Sequence, residues 1–208
     1  MSSRLDPFYP ILDSAEWLQR LVPLGIKLVQ LRVKDQSADI VREEILKSLK
    51  VCQQFQCQLV VNDYWQLAIE TGADFIHLGQ EDLEVADVGA IRSAGLQLGI
   101  SSHSEDELET ALAVQPDYIA LGPVYPTILK KMPWQPQGLT RVQEWKQKIG
   151  DIPLVGIGGL NLERAEGVFK AGADCVAMVT DITLNTDPEA QTRRWIEITQ
   201  PFRDSNYH

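Results

Sequence analysis

Apolar residues along this chain gather into short runs separated by longer amphipathic stretches. The runs are YPIL (9–12), KLVQLRV (27–33), QLVVN (58–62), DFIHL (74–78), LQLGIS (96–101), DYIAL (117–121), IPLVGI (152–157) and DCVAMV (174–179). Several are apolar almost throughout, the pattern of parallel strands covered on both faces. A helical pattern follows most of them. In 38–55, Ile40, Val41, Ile45, Leu49 and Cys52 recur at helical spacing. Ser104, with Glu107 three residues on, carries the signature of a capping box and predicts a helix start there. About eight β/α repeats in about 200 residues predict a single (β/α)8 TIM barrel over residues 1–208. The competing open, doubly wound sheet requires a glycine-rich turn after the first strand, and Asp13-Ser14-Ala15 is not one.

One stretch breaks the alternation. Residues 122–138, GPVYPTILKKMPWQPQG, carry Pro123, Pro126, Pro133 and Pro136, which exclude a regular helix or central strand. A loop this long in a compact domain, with Tyr125, Trp134 and paired lysines, points to function.

Composition narrows the class. The chain has 208 residues and a formal net charge of −10, with 44% hydrophobic residues. These values exclude a disordered or collagen-like chain. The acidic balance argues against nucleic-acid binding. No apolar run approaches the roughly 18 residues of a membrane span. The opening MSSRLDPFYP shows no secretory pattern, so a cytoplasmic protein is expected. Cys52, Cys57 and Cys175 are read as reduced, buried small hydrophobes.

In a barrel, chemistry sits at the C-terminal ends of the strands. After the second strand, Gln30, Arg32 and Lys34 alternate, which places them on one face; Leu28 and Leu31 are expected on the other. Two cations aimed into a barrel mouth need an anion, and a diphosphate would serve. The alternative is a solvent-facing edge with an ion pair to Asp35. Asp63 and Asp82 end neighbouring strands, where they could share Mg²⁺ or simply cap helices. Ser101 could donate to a phosphate. His103 reads as a polar residue before a helix cap. His77 reads as a satisfied core histidine without a serine or cysteine partner. Gly156-Ile157-Gly158-Gly159 before a helix, and Val179-Thr180-Asp181 after the eighth strand, occupy the usual phosphate site of such barrels. Two anion sites result, one of cations and a metal, one of backbone amides and Thr180.

At this point the sequence resembles the thiamine-phosphate synthase family. The matching pieces are QLRVK (30–34), NDYWQLA (62–68), HLGQEDL (77–83), GIS (99–101), DYIALGPVYPT (117–127), Lys130, PQGL (136–139), VGIGGLN (155–161) and MVTDI (178–182), in family order. The resemblance implies a (β/α)8 barrel and a Mg²⁺-dependent transferase. The implied reaction joins 4-amino-2-methyl-5-hydroxymethylpyrimidine diphosphate to 4-methyl-5-hydroxyethylthiazole phosphate, or its carboxylated form, giving thiamine phosphate and diphosphate. It also implies roles. Gln30, Arg32, Lys34 and Asn62 look like pyrimidine diphosphate contacts, and Asp63 and Asp82 look like metal ligands. Ser101 and Lys130 look like further diphosphate contacts, which with Arg32 and Lys34 form the catalytic set. Thr127, Gly159, Val179 and Thr180 look like the thiazole phosphate site. Leu129 stands where the family usually has threonine, and Thr180 where serine is common.

Two rivals are weighed against this. The related thiazole tautomerase uses no diphosphate, and joint retention of Arg32, Lys34, Asp63 and Asp82 argues against it. A non-catalytic regulator binding thiamine phosphates rests on Leu129 alone. The expected partners are small molecules, with neither nucleic acid nor membrane; a homo-oligomer is compatible with the sequence.

Overall fold

The computed structural model describes residues 5–127 and 135–204. Eight strands, β1 (Phe8–Leu12), β2 (Leu28–Leu31), β3 (Gln58–Asn62), β4 (Phe75–Leu78), β5 (Gln97–Ser102), β6 (Tyr118–Leu121), β7 (Leu154–Ile157) and β8 (Cys175–Met178), close into one barrel in sequence order. Every neighbouring pair is parallel, including the closing β1–β8 pair. The expected TIM barrel is present; six of the apolar runs contain their strands, and β1 and β5 each extend one residue beyond theirs.

The helices are α1 (Ala15–Leu21), α2 (Ala38–Phe55), α3 (Trp65–Thr71), α4 (Gln80–Val85), α5 (Val88–Ser93), α6 (Glu105–Ala113), α7 (Gly138–Ile149), α8 (Leu162–Lys170), α9 (Thr180–Thr183) and α10 (Pro188–Asp204). The span of α2 matches the stretch that periodicity marks out. Its start is fixed by the Ser37 hydroxyl, which accepts the Ile40 N–H. At α6 only half of the expected capping box forms. Ser104 Oγ accepts the Glu107 N–H at 3.3 Å, but the Glu107 carboxylate reaches past Ser104 to the backbone N–H of His103 at 2.6 Å and to its Nδ1 at 2.8 Å.

Two apolar layers form because each strand buries both faces. The outer layer lies between strands and helices and includes Val29, Leu31, Trp145 and Trp195. The inner layer fills the barrel and includes Tyr9, Leu28, Phe75, Tyr118 and Cys175. Leu28 therefore shares the interior face with Gln30, and only Leu31 lies opposite. Strand period dictates this, because 28 and 30 have the same parity. The three cysteines are free and buried, as expected. Burial pushes the Cys175 thiol up, and the Cys57 thiol is raised by its contact with Cys52 and by burial. Among the described residues no helix is long and apolar enough to cross a membrane.

Candidate active site

The C-terminal strand ends enclose a cavity of about 390 Å³. It shares several walls with a deeper space of about 120 Å³ inside the barrel. Arg32, Lys34, Asn62, Asp63, Asp82 and Ser101, from β2 to β5 and their loops, line one side. Thr127, Gly158, Gly159, Val179 and Thr180, from β6 to β8 and their loops, line the other. Every predicted site residue among the described ones thus meets at one mouth, except Gln30. That residue lies deeper, is only 3% exposed and lines the inner space, where its amide donates to Tyr9. Leu129 and Lys130 lie outside the described residues, as does Trp134.

Lys34 forms an ion pair with Asp63, not with Asp35. The Arg32 guanidinium has no hydrogen bond or ion pair among the described residues, which leaves it open to an anion entering the cavity. Neither aspartate is a helix cap. Asp63 precedes Tyr64, the residue before α3, and has a left-handed φ of 67°. Asp82 lies inside the first turn of α4, whose cap position is Gly79. A non-glycine residue in the left-handed region carries backbone strain of roughly 1–3 kcal/mol, which a site can exploit to aim a side chain. Burial raises the pKa of Asp82, and the neighbouring Asp63 carboxyl, within hydrogen-bonding reach, raises it further. Two carboxylates crowded together in this way invite a cation. Among the described residues no cluster of three or more metal-ligating side chains exists. The Asp63 and Asp82 carboxylates together fit Mg²⁺, which takes one or two carboxylates and completes its shell with water and substrate oxygens.

The opposite side is shaped by close backbone packing. Gly158 and Gly159 both have positive φ, 98° and 63°. A Cβ on Gly158 would sit 2.7 Å from Pro123 Cα, and one on Gly159 would sit 2.3 Å from the Pro126 carbonyl oxygen. Both glycines are thus required by the fit of this turn against residues 122–127. Tyr125 N–H donates to the Gly158 carbonyl at 3.1 Å. Arg164 donates to the Gly159 carbonyl while its guanidinium lies 4.7 Å from the Tyr125 ring centroid. Asn161 caps α8, its Oδ1 accepting the Arg164 N–H at 3.0 Å. Asp181 is structural: its carboxylate accepts from Gln191 and Trp195, both at 2.7 Å.

His77 departs from expectation. It is buried and satisfied, but it lines the cavity and has a serine partner. Its Nε2 lies 2.8 Å from Ser101 Oγ, and its Nδ1 lies 2.6 Å from the Tyr118 hydroxyl. Burial pulls its pKa down to about 4, partly offset by the Asp63 carboxylate. His103 also lines the cavity and is engaged by Glu107.

A family model described as thiamine monophosphate synthase matches residues 8–182. The chain belongs to this family. It is 60% identical over 200 residues to a thiamine-phosphate synthase of Rhizobium etli, covering 96% of this chain and 98% of that one. It is 46% identical to a thiamine-phosphate synthase of Cronobacter sakazakii, covering 91% and 90%. Its fold is similar to a solved thiamine phosphate pyrophosphorylase of Pyrococcus furiosus, with a TM-score of 0.84, 24% identity and coverage of 95% and 96%.

Proposed function

We infer that the protein is a thiamine-phosphate synthase, a transferase of thiamine biosynthesis that joins the pyrimidine diphosphate to the thiazole phosphate. The observation that carries this reading is the division of the mouth in a chain of this family. Cations and paired carboxylates stand on one side, and a glycine turn with threonine hydroxyls stands on the other. The thiazole tautomerase reading loses support because it leaves the Arg32, Lys34, Asp63 and Asp82 cluster without a task.

The chemistry follows from the charges. The bond between the pyrimidine methylene carbon and the diphosphate oxygen breaks, and its electron pair leaves with the diphosphate. The pyrimidine methyl cation is stabilised by the ring amino group. The thiazole nitrogen then supplies the pair for the new C–N bond. Arg32 and Lys34 bind the leaving group and stabilise its growing charge. Lys130 and Ser101 are assigned to the same anion. Asn62 and the deeper Gln30 orient the pyrimidine. Asp63 and Asp82 would hold Mg²⁺, whose chemistry is to neutralise leaving-group charge. Thr127, Gly159, Val179 and Thr180 hold the thiazole phosphate, and Leu129 is assigned to the same substrate. Holding both substrates in line supplies the rest of the acceleration. No cysteine is among the residues that line the cavity, and burial raises the Cys175 thiol pKa, which disfavours its thiolate. We place the reaction in the cytoplasm.

The test is direct. The purified protein, given both substrates and Mg²⁺, is expected to release diphosphate and thiamine phosphate in equal amounts. Excess chelator is expected to stop turnover, and added Mg²⁺ to restore it. Equal yield with chelator present would remove the metal from the mechanism, and no product under any condition would remove the function.

A further inference from the structure

A chain of buried hydrogen bonds crosses the barrel interior and ends at the site. Gln30 Nε2 donates to the Tyr9 hydroxyl at 2.8 Å. The Tyr9 and Tyr118 hydroxyls are 3.0 Å apart. Tyr118 meets His77 Nδ1 at 2.6 Å, and His77 Nε2 meets Ser101 Oγ at 2.8 Å. Tyr9 and Tyr118 are 1% and 0% exposed, and their hydroxyls meet directly. Burial, the leading cause for both phenols, keeps them protonated.

The fold makes room for this chain. His77, Gly99 and Tyr118 are register partners across β4, β5 and β6. A Cβ at Gly99 would lie 2.1 Å from Tyr118 Cζ. The missing side chain on β5 is what lets the Tyr118 ring lean across that strand and stack on His77, with ring centroids 5.5 Å apart.

Proton counting then fixes a direction. An amide nitrogen donates and cannot accept. Tyr9 accepts from Gln30, and its one other hydrogen-bond partner among the described residues is Tyr118, which takes its proton. Tyr118 accepts that bond, so its proton goes to His77 Nδ1. Nδ1, as acceptor, carries no proton, and the imidazole proton sits on Nε2, where it donates to Ser101 Oγ. A cationic His77 would place a second proton opposite that of Tyr118, and the count would fail.

We propose that Gln30, Tyr9 and Tyr118 are positioning residues that hold His77 as the Nε2–H tautomer and thereby commit the Ser101 hydroxyl proton to an oxyanion in the cavity. The Ser101–His77 pair superficially matches a nucleophile with its base. That reading needs the opposite direction, with Nε2 accepting from Ser101. The direction of the chain makes Ser101 a donor to the departing diphosphate instead. The proposal rests on the synthase reading for the identity of the anion, but not for the tautomer.

Nitrogen-15 NMR of the histidine side chains reads the tautomer without turnover, so its outcome is separate from that of the synthase reading. The full-length protein is expected to show His77 protonated at Nε2 alone, and Tyr118→Phe to show both tautomers. A protonated Nδ1 in the wild type would overturn the proposal. In kinetics, Tyr118→Phe is expected to lower kcat roughly tenfold, the scale of one hydrogen bond, with little change in KM. In a Ser101→Ala background the same substitution should add nothing, because it acts through Ser101. Full additivity would overturn the proposal. A serine-directed phosphonofluoridate is expected to leave Ser101 unlabelled, and stoichiometric labelling would show the nucleophile reading to be right. If Tyr118→Phe does not fold, the wild-type tautomer and the labelling still decide.

Discussion

Asp82→Asn is expected to lower kcat by roughly 10²- to 10³-fold, the scale seen when one stabiliser of transition-state charge is removed. The fold should survive. The Asp82 side chain caps nothing, and its carboxyl is crowded by Asp63. Losing an acidic residue from the first turn of α4 costs about 0.3–1 kcal/mol against the helix dipole. Removing the repulsion with Asp63 offsets part of that. The direction of the pKa shift agrees: a carboxyl whose folded pKa is raised is destabilising once ionised, so neutral Asn relieves strain above the carboxylate range and changes little below it. The melting temperature without Mg²⁺ is therefore expected to stay within about 3 °C of wild type. Mg²⁺ at ten times its dissociation constant should stabilise the wild type by about 1.4 kcal/mol and the variant by almost nothing. A thermal melt with and without the metal, set beside the rate, checks all three. A variant that melts far lower while its folded fraction remains fully active would make Asp82 a structural residue.

Gly159→Ala has the largest expected effect on the other side of the mouth. The new methyl would lie 2.3 Å from the Pro126 carbonyl oxygen at a residue with φ of 63°. Left-handed backbone costs an L-residue about 1–2 kcal/mol. Overpacking against backbone adds about 1–3 kcal/mol. Together they lower the melting temperature by roughly 5–15 °C for a chain of this size. The clash pushes on residues 122–127, which carry Thr127, so KM for the thiazole phosphate should rise at least tenfold while that for the pyrimidine diphosphate changes little. Gly95→Ala is the control. Gly95 has φ of 82°, and a Cβ added there would meet nothing within 4 Å, so the variant bears the backbone strain alone and lies away from the mouth. It should lose stability and keep both KM values. Equal KM changes in the two variants would detach Gly159 from the phosphate site.

The strands are legible in the sequence because a parallel barrel buries both faces of each one, and unbroken apolar runs leave few other readings. The mouth is legible because barrel chemistry collects at strand ends, so chain position alone gathers residues from Arg32 to Thr180. What local pattern cannot supply is the content of the barrel interior. Tyr9 and Tyr118 are 109 residues apart, and Tyr118 and His77 are 41 apart. Hydrogen bonds at such separations leave no periodic trace. For that reason local pattern reads His77 without its serine, and places Gln30 at the mouth although its amide turns inward to Tyr9. A usable signal does exist. Polar residues of interior parity on four strands, Tyr9, Gln30, His77 and Tyr118, need partners inside the barrel, and they find one another, with Ser101 at the mouth end. The aspartates illustrate a different limit. An acidic residue before a helical pattern usually caps, and only the left-handed turn at Asp63 and the one-turn-deep placement of Asp82 remove that reading.

The division of one mouth into two anion sites is tested most directly by calorimetric titration of inorganic diphosphate with Mg²⁺ and of the thiazole phosphate, each in the presence and absence of the other. Both are expected to bind at once, one per chain. Lys34→Ala should weaken only the diphosphate. Thr180→Ala should weaken only the thiazole phosphate, by about 10- to 150-fold, the worth of one charge-assisted hydrogen bond of roughly 1.5–3 kcal/mol. Mutual exclusion of the two ligands, or exchange of the two variants' effects, would contradict the account.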